Sequence, residues 1–286
     1  MKRKALVVGI NDYAPVGPGG PDLNGCVNDA RDMANTLVLC GFQPANIRIL
    51  TNQNAKRANF LTYLSWLFSG TAAGDSLVFY YSGHGTRVAN IGPDLEIDGL
   101  DEAIVPHDYS SAGFLRDDDF KAIFDAKLKR GVNLEVIFDC CHSGTGTRNV
   151  NFNEFGDSAT VETARFLEPM LEDEFYFSFS KDLKSKKSKK GEDIMMTNKA
   201  LVPVAGMKHT LWAACKDNQV AMEGSIGGVT RGYFTLHLCR ALRATSGNIT
   251  RKLLDAQVAN ALAAMGAAQI NQTESTPAEF AQKVFI

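Results

Sequence analysis

Apolar residues along the chain are grouped into short continuous runs, with longer amphipathic stretches between them. Runs rich in Val, Ile, Leu and aromatic residues predict five strands, at 4–10, 47–50, 76–82, 134–139 and 209–215. Stretches with helical spacing predict five helices, at 26–40, 55–69, 117–129, 231–244 and 250–264. Continuous rather than alternating apolar runs are typical of strands that are covered on both faces.

Alternation of strands and helices predicts an α/β fold with a mostly parallel central sheet, right-handed crossovers and helices on both faces. The apolar residues at 280–286 suggest one further strand. Residues 145–205 interrupt the alternation and include the basic run 181–190. Such a run cannot bury a helix face. It is either a solvated linker or a processing segment exposed to a protease that prefers basic residues.

Composition narrows the class of protein. The chain has 286 residues, is 45% hydrophobic and carries a net charge of -2, which suits a soluble protein that binds neither nucleic acid nor membranes. Its six cysteines form no CxxC pair, so neither a disulfide framework nor a structural zinc site is indicated. The first apolar run is too short for a signal peptide. We therefore expect a cytoplasmic protein.

Two strand ends carry the most reactive side chains. The predicted strand 76–82 is followed by His84, between two glycines, and the strand 134–139 is followed by Cys140 and Cys141. If these strands are parallel neighbours, imidazole and thiol meet at one edge of the sheet, as a cysteine nucleophile and its proton-transfer partner must. Alternation along the strand sends Cys140 and Cys141 to opposite faces, so one of them packs in the core.

A third group of polar residues lies at the first strand-to-helix turn. Cys26 and Asp29 are one helical turn apart, and this turn also opens at the carboxyl edge of the sheet. Asp29 and Asp139 could then line one pocket that favours an Arg or Lys side chain. The alternative for Asp29 is a charge placed to stabilise a helix N-terminus.

Acidic residues are dense between 94 and 119. Asp94, Glu96 and Asp98 imitate the start of an EF-hand loop, but the twelfth position is Val105 instead of a bidentate Glu. Calcium binding and a solvated acidic loop both remain open, and Asp117 could instead cap the helix that follows it.

Two segments of the chain carry the histidine and the cysteine: Tyr81–Gly85 and Asp139–Gly144. They resemble the histidine and cysteine motifs of the metacaspases, which are caspase relatives. Further segments resemble the family's first strand, first helix, acidic regions and small subunit: 4–11, 25–30, 98–102, 117–119, 213–223 and 232–235. The resemblance implies a caspase–haemoglobinase fold in a single domain, 1–286. Residues 1–150 would correspond to the large subunit, 151–205 to the linker and 206–286 to the small subunit.

The resemblance also implies a monomeric cysteine endopeptidase that cleaves proteins or peptides after Arg or Lys and, as is frequent in the family, is activated by Ca²⁺. We expect the enzyme to cut itself within the basic run 181–190 or at Lys199, just beyond it. Carried over by position, the nucleophile would be Cys141, the general acid/base His84, the pocket Cys26, Asp29, Ser82 and Asp139, and the calcium ligands Asp101, Asp117 and Asp118. Backbone N–H groups of Gly85 and Cys141 would stabilise the oxyanion. The family's fourth calcium carboxylate is not evident, since Arg148 stands in that neighbourhood.

Two other functions are compatible with a caspase-like fold. One is a caspase-type protease that cleaves after Asp, which would need a basic pocket, whereas Asp29 and Asp139 are acidic. The other is a non-catalytic caspase-like scaffold, although such proteins usually lose the Cys or the His and this chain has both.

Overall fold

The computed structural model describes residues 1–14, 21–89, 100–141, 162–167, 209–216 and 219–286. Its strands are β1 (Arg3–Gly9), β2 (Ile47–Thr51), β3 (Ser76–Ser82), β4 (Gly85–Ala89), β5 (Leu100–Ile104), β6 (Leu115–Arg116), β7 (Asn133–Asp139), β8 (Thr163–Ala164), β9 (His209–Ala213), β10 (Met222–Ile226), β11 (Val229–Gly232) and β12 (Gln272–Glu274). The α-helices are α1 (Cys26–Leu39), α2 (Arg57–Phe68), α3 (Tyr109–Ala112), α4 (Asp117–Lys127), α5 (Tyr233–Thr245), α6 (Arg251–Ala264) and α7 (Pro277–Phe280). Two short 3₁₀ helices flank β2, at Pro44–Asn46 and Asn52–Asn54.

The central sheet has the strand order β12-β9-β7-β3-β1-β2. All neighbouring pairs are parallel except the edge pair β12 and β9. The five predicted strands are the five parallel ones, so the expected mostly parallel α/β architecture is confirmed.

The predicted strand at 280–286 is wrong. Helix α7 occupies Pro277–Phe280, and a single bridge, Thr250 to Lys283, follows it. Thr276 and Glu279 form a capping box and Pro277 fits the first helical turn, so the chain is helical up to Phe280. Beyond the helix, Phe285 has a positive φ of 62°, which is incompatible with a regular strand. The sixth strand of the sheet is instead β12.

Each face of the sheet contributes to a separate hydrophobic core. Ala5 and Val7 of β1 lie in one core, and Leu6 and Val8 lie in the other. Helices α1, α5 and α6 cover the first face, while α2 and α4 cover the second. Within the described residues, no helix is both long and apolar enough to span a bilayer.

Two small antiparallel sheets accompany the central one. Strand β4 begins directly after β3 and pairs with β5, which pairs with β6. Strand β10 pairs with β11 on one side and with β8 on the other. Because β8 belongs to the predicted linker 151–205, part of that linker is ordered against the small-subunit-like part of the chain.

Candidate active site

The two reactive strand ends lie side by side. Strands β3 and β7 are parallel neighbours, with Ser82 opposite Asp139 at their ends. His84 and Cys141 each follow two residues later, so the strand register places both at the same edge of the sheet. The predicted juxtaposition of the two motifs is therefore present.

A carbonyl group from the chain itself lies between these motifs. The oxygen of Arg165 accepts hydrogen bonds from the backbone N–H of Gly85 at 3.0 Å and of Cys141 at 3.2 Å. The N–H of Arg165 donates to the carbonyl of Ala221 at 3.1 Å. The two amides expected to hold an oxyanion thus meet at one carbonyl oxygen, and residues 162–167 cross the strand ends as an extended peptide.

The side chain of Arg165 fills a pocket of carboxylates. Its Nη2 lies 2.6 Å from Oδ2 of Asp29 and 3.1 Å from Oε2 of Glu223, and its Nη1 lies 3.0 Å from Oδ1 of Asp139. Nη1 also donates to Oγ of Ser82 at 2.9 Å, and that hydroxyl donates to Asp29 at 3.1 Å. The guanidinium and all three carboxylates are buried. The pocket therefore binds a planar cation through several charge-assisted hydrogen bonds at once.

Hydrogen bonds from Gly232 and Thr235 position the pocket carboxylates, and the lack of a side chain at Gly232 leaves room for the guanidinium. Gly232 N–H donates to both oxygens of Asp29 at 3.0 Å, and the N–H and hydroxyl of Thr235 donate to Oδ2 of Asp139. A Cβ on Gly232 would lie 2.4 Å from Oδ2 of Asp139 and 2.5 Å from Nη1 of Arg165, so a side chain there would obstruct the guanidinium. The Cys26 thiol faces Glu223 at 3.7 Å, which places this predicted residue in the pocket wall.

Burial changes the acidity of Asp29 in the pocket. Burial raises the pKa of Asp29 to about 7, and the negative charge of Asp139 also raises it. The charge of Arg165 opposes the shift. Ionised Asp29 thus depends on a cation in the pocket.

The environment of His84 fixes both its charge and its tautomer. Burial lowers the pKa of His84 to about 4, although the hydrogen bond with the Pro21 carbonyl opposes this shift. Nε2 faces that carbonyl, which can only accept, so Nε2 carries the proton. Nδ1 is buried without a hydrogen-bond partner. The ring is consequently a neutral base with its lone pair on Nδ1.

The two adjacent cysteines face opposite cores. Cys141 belongs to the core that includes Trp212, and Cys140 to the core on the other side. Burial raises the pKa of Cys140 well above its ordinary value. The thiol of Cys141 donates to the carbonyl of Ala221 at 3.3 Å and accepts from its N–H at 2.7 Å. To reach the carbonyl carbon of Arg165, Sγ must turn away from Ala221. All six cysteines are free.

The predicted calcium residues do not form a metal site by themselves. Asp101 forms an ion pair with Arg116 at 3.0 Å, and Oδ1 of Asp117 accepts the N–H of Asp118. Among the residues that the structure describes, no three Asp, Glu, His or Cys side chains gather closely enough to hold a metal ion. The other acidic residues considered, Asp94, Glu96 and Asp98, lie outside the described residues, as does Arg148.

Comparison with known families gives the decisive match. The sequence model of the metacaspase, peptidase C14 domain matches residues 3–148, which is just over half of the chain. The chain belongs to the metacaspase family. This family match spans both reactive motifs, and it confirms the relationship that the sequence segments suggested.

Curated metacaspases match over different lengths. Metacaspase-1A of Aspergillus oryzae is 32% identical over 267 residues, covering 84% of this chain and 60% of the relative. Metacaspase-1 of Arabidopsis thaliana is 42% identical over 151 residues, covering 50% and 40%. Metacaspase-1 of Mycosarcoma maydis is 40% identical over 150 residues, covering 50% and 36%. The chain therefore spans less than two thirds of the length of these relatives.

Solved structures agree on the fold. A Geobacter sulfurreducens protein matches with a TM-score of 0.67 and 26% identity, covering 100% of this chain and 98% of that one. Caspase-1 from Spodoptera frugiperda matches with a TM-score of 0.56 and 12% identity, covering 96% and 88%. The second likeness concerns the fold alone, and it confirms the caspase-like architecture of this metacaspase.

Three residues at the site were not expected from the sequence. They are Pro21, which fixes the tautomer of His84, Glu223, the third carboxylate, and Arg165, which fills the pocket. Glu223 lies within the small-subunit-like segment 213–223, but nothing in that segment indicates where its side chain points. The expected processing sites, 181–190 and Lys199, lie outside the described residues.

Proposed function

We propose that this metacaspase is a cysteine endopeptidase that cleaves peptide bonds after Arg, and less readily after Lys. One observation carries the proposal: Arg165 places its guanidinium among three carboxylates while its carbonyl oxygen accepts the N–H groups of Gly85 and Cys141. This is the arrangement that a substrate residue before the cut bond would require.

The proposed reaction uses groups already at the site. Once the Cys141 thiol leaves its hydrogen bonds with Ala221, Nδ1 of His84 takes its proton, and Sγ bonds to the substrate carbonyl carbon. The N–H groups of Gly85 and Cys141 stabilise the negative oxygen. As the C–N bond breaks, His84 returns the proton to the leaving amine. Water then hydrolyses the thioester, releasing a carboxylate product and restoring the thiol.

A panel of fluorogenic peptides tests this function. We expect hydrolysis after Arg, slower hydrolysis after Lys and none after Asp, since three carboxylates repel an acidic side chain. Cys141→Ala should abolish the activity, while the matched variant Cys140→Ala, which alters the opposite core, should retain it. Cleavage after Asp, or no cleavage of any peptide by the folded protein, would favour the caspase-type or the scaffold alternative.

We further propose that the chain cuts itself at the bond between Arg165 and Phe166. The site differs from the basic run expected from the sequence, because Arg165 already lies in the pocket. Intact-mass analysis should find fragments 1–165 and 166–286 in the wild type and neither in Cys141→Ala. The same cut in both proteins would mean that a contaminating protease made it.

Calcium dependence stays a proposal that rests on the family. The measurement is Arg-peptide hydrolysis in calcium or in chelator, with Asp101→Asn and Asp118→Asn compared with wild type. Equal rates in calcium and in chelator would show that calcium does not activate the enzyme.

A monomeric state and a cytoplasmic location likewise stay predictions. Light scattering of the purified protein tests the first, and cell fractionation the second.

A further inference from the structure

A third carboxylate, Glu223, contacts Arg165 from strand β10. Its Oε2 accepts from Nη2 at 3.1 Å and from Nε at 3.3 Å. Both side chains are buried, with Glu223 only 1% exposed. In this pocket, Glu223 is the residue that receives the Nε hydrogen, and this is the part of an Arg side chain that has no equivalent in Lys.

The pocket has an acceptor for each N–H of the guanidinium. Nε donates to Glu223, Nη2 to Asp29 and Glu223, and Nη1 to the hydroxyl of Ser82 and the carbonyl of Asp139. An ammonium group has three donors on one atom and cannot reach all of these acceptors from one position. Lys would therefore leave buried acceptors without a donor, which costs binding free energy.

Backbone groups fix the orientation of Glu223 and require a carboxylate there. The N–H of Asn24 donates to Oε1 at 2.7 Å, and the N–H of Gly25 donates to Oε2 at 3.1 Å. Both oxygens must accept. A Gln side chain would turn its NH₂ group toward one of these N–H groups, and in one orientation also toward the guanidinium.

From this geometry we infer that Glu223 makes the pocket select Arg over Lys at the residue before the cut. The inference rests on the proposed peptidase function, because it concerns the same pocket. It adds a specificity-determining residue from the small-subunit-like part of the chain to the pocket residues that follow or end β1, β3 and β7.

The test compares kcat/KM for two peptides that differ only in Arg or Lys before the cut bond. We expect Glu223→Gln to lower the ratio of Arg to Lys cleavage about 10- to 100-fold, the value of a lost charged hydrogen bond. Glu279→Gln makes the same chemical change in the capping box of α7, where Gln is also accepted, and should leave the ratio unchanged. Because it is a ratio, the readout does not depend on how much protein is folded.

A purely structural role for Glu223 predicts a different result. If Glu223 only holds the turn before α1, Glu223→Gln lowers both cleavage rates equally, and an unchanged ratio overturns the inference. Hydrolysis of neither peptide by the wild type would instead overturn the proposed function.

A second measurement then decides the inference without catalysis. In the Cys141→Ala chain, Arg165→Lys should lower the Tm by about 3–6 °C. The drop should be clearly smaller when Glu223→Gln is also present, because the two changes remove one shared interaction. Equal drops in both backgrounds would overturn the selectivity assigned to Glu223.

Discussion

His84 is the residue whose chemistry depends most on its surroundings. Its ring is buried, one nitrogen faces the Pro21 carbonyl, and the other has no hydrogen-bond partner. A lowered pKa keeps this second nitrogen unprotonated at neutral pH, so it is available to accept a proton, although it is a weaker base than an ordinary imidazole. The arrangement has Arg165 in the cleft, so it represents the substrate-filled state.

The low pKa of His84 in the substrate-filled site predicts the pH at which kcat falls on the acid side. Because the pKa of His84 is lowered to about 4, protonation removes the base only at low pH. We expect kcat for an Arg peptide at saturation to stay level from neutral pH to about pH 5 and to fall below it, with a midpoint near 4. A midpoint near 6.5, the ordinary value for His, would contradict this environment.

The raised pKa of Asp29 predicts how KM depends on pH. With a guanidinium present its pKa is raised to about 7, and it is higher still without the cation, because the charge of Arg165 opposes the shift. Arg binds the ionised carboxylate, so KM should be highest below pH 7 and should decrease as the pH rises above it. Asp29→Asn should raise KM and remove this dependence. A KM that increases with pH above 7 would exclude the explanation.

At the level of elements, a buried ion pair joins the sheet to helix α6. Arg251 donates to Glu135 of β7 at 2.6 Å, and Trp212 of β9 donates to the same carboxylate at 2.8 Å. The Arg251 and Glu135 side chains are essentially unexposed. Loss of one partner leaves a buried charge without compensation.

Arg251→Met should therefore destabilise the fold by about 3–5 kcal/mol. Chemical denaturation measures this loss, and exposed Arg240→Met on α5 is the matched control, with little expected change. The kcat of the folded fraction, determined by titrating active sites, should stay at the wild-type value because the pair is not part of the pocket. If Arg251→Met had the same free energy of unfolding as Arg240→Met, the ion pair would make no net contribution to stability.

The elements that the sequence predicts well are those with strong patterns. The five strands of the parallel sheet and the five long helices have continuous or periodic apolar residues. The strands of the two small sheets and β12 were missed because they have no continuous apolar run, as in Met222–Ile226. The strand at 280–286 was predicted wrongly because the capping box at Thr276 and Glu279 makes the chain helical up to Phe280, and because Phe285 has a positive φ.

On the scale of the whole molecule, the chain competes with its own substrates. Residues 162–167 occupy the cleft and belong to the same polypeptide, so their effective concentration is on the order of millimolar. An added peptide must displace Arg165 before it binds.

Removal of the tethered side chain should therefore open the pocket. In the Cys141→Ala chain, Arg165→Ala should lower the Kd of a fluorescent Arg-ended peptide by about 10-fold or more, measured by anisotropy. Arg240→Ala is the control and should not change the Kd. An equal or weaker affinity after Arg165→Ala would mean that the segment does not compete for the pocket.

Sequence reasoning reached part of the site and had a physical limit. His84, Cys141, Asp29 and Asp139 follow strand ends or turns, and the topology of parallel sheets brings such positions together. Glu223 and Arg165 are 58 residues apart and meet through side-chain directions and linker placement. Neither property is encoded in a local pattern.

The most direct test is covalent labelling with a peptidyl acyloxymethyl ketone that ends in Arg. When its basic side chain is bound, the reagent places its ketone beside the thiol; the sulfur then bonds to the adjacent methylene carbon and the carboxylate leaves. We expect tandem mass spectrometry to locate one adduct, on Cys141, with no adduct from the matching Asp-ended reagent. Labelling of another cysteine, or equal labelling by the two reagents, would contradict the central claim.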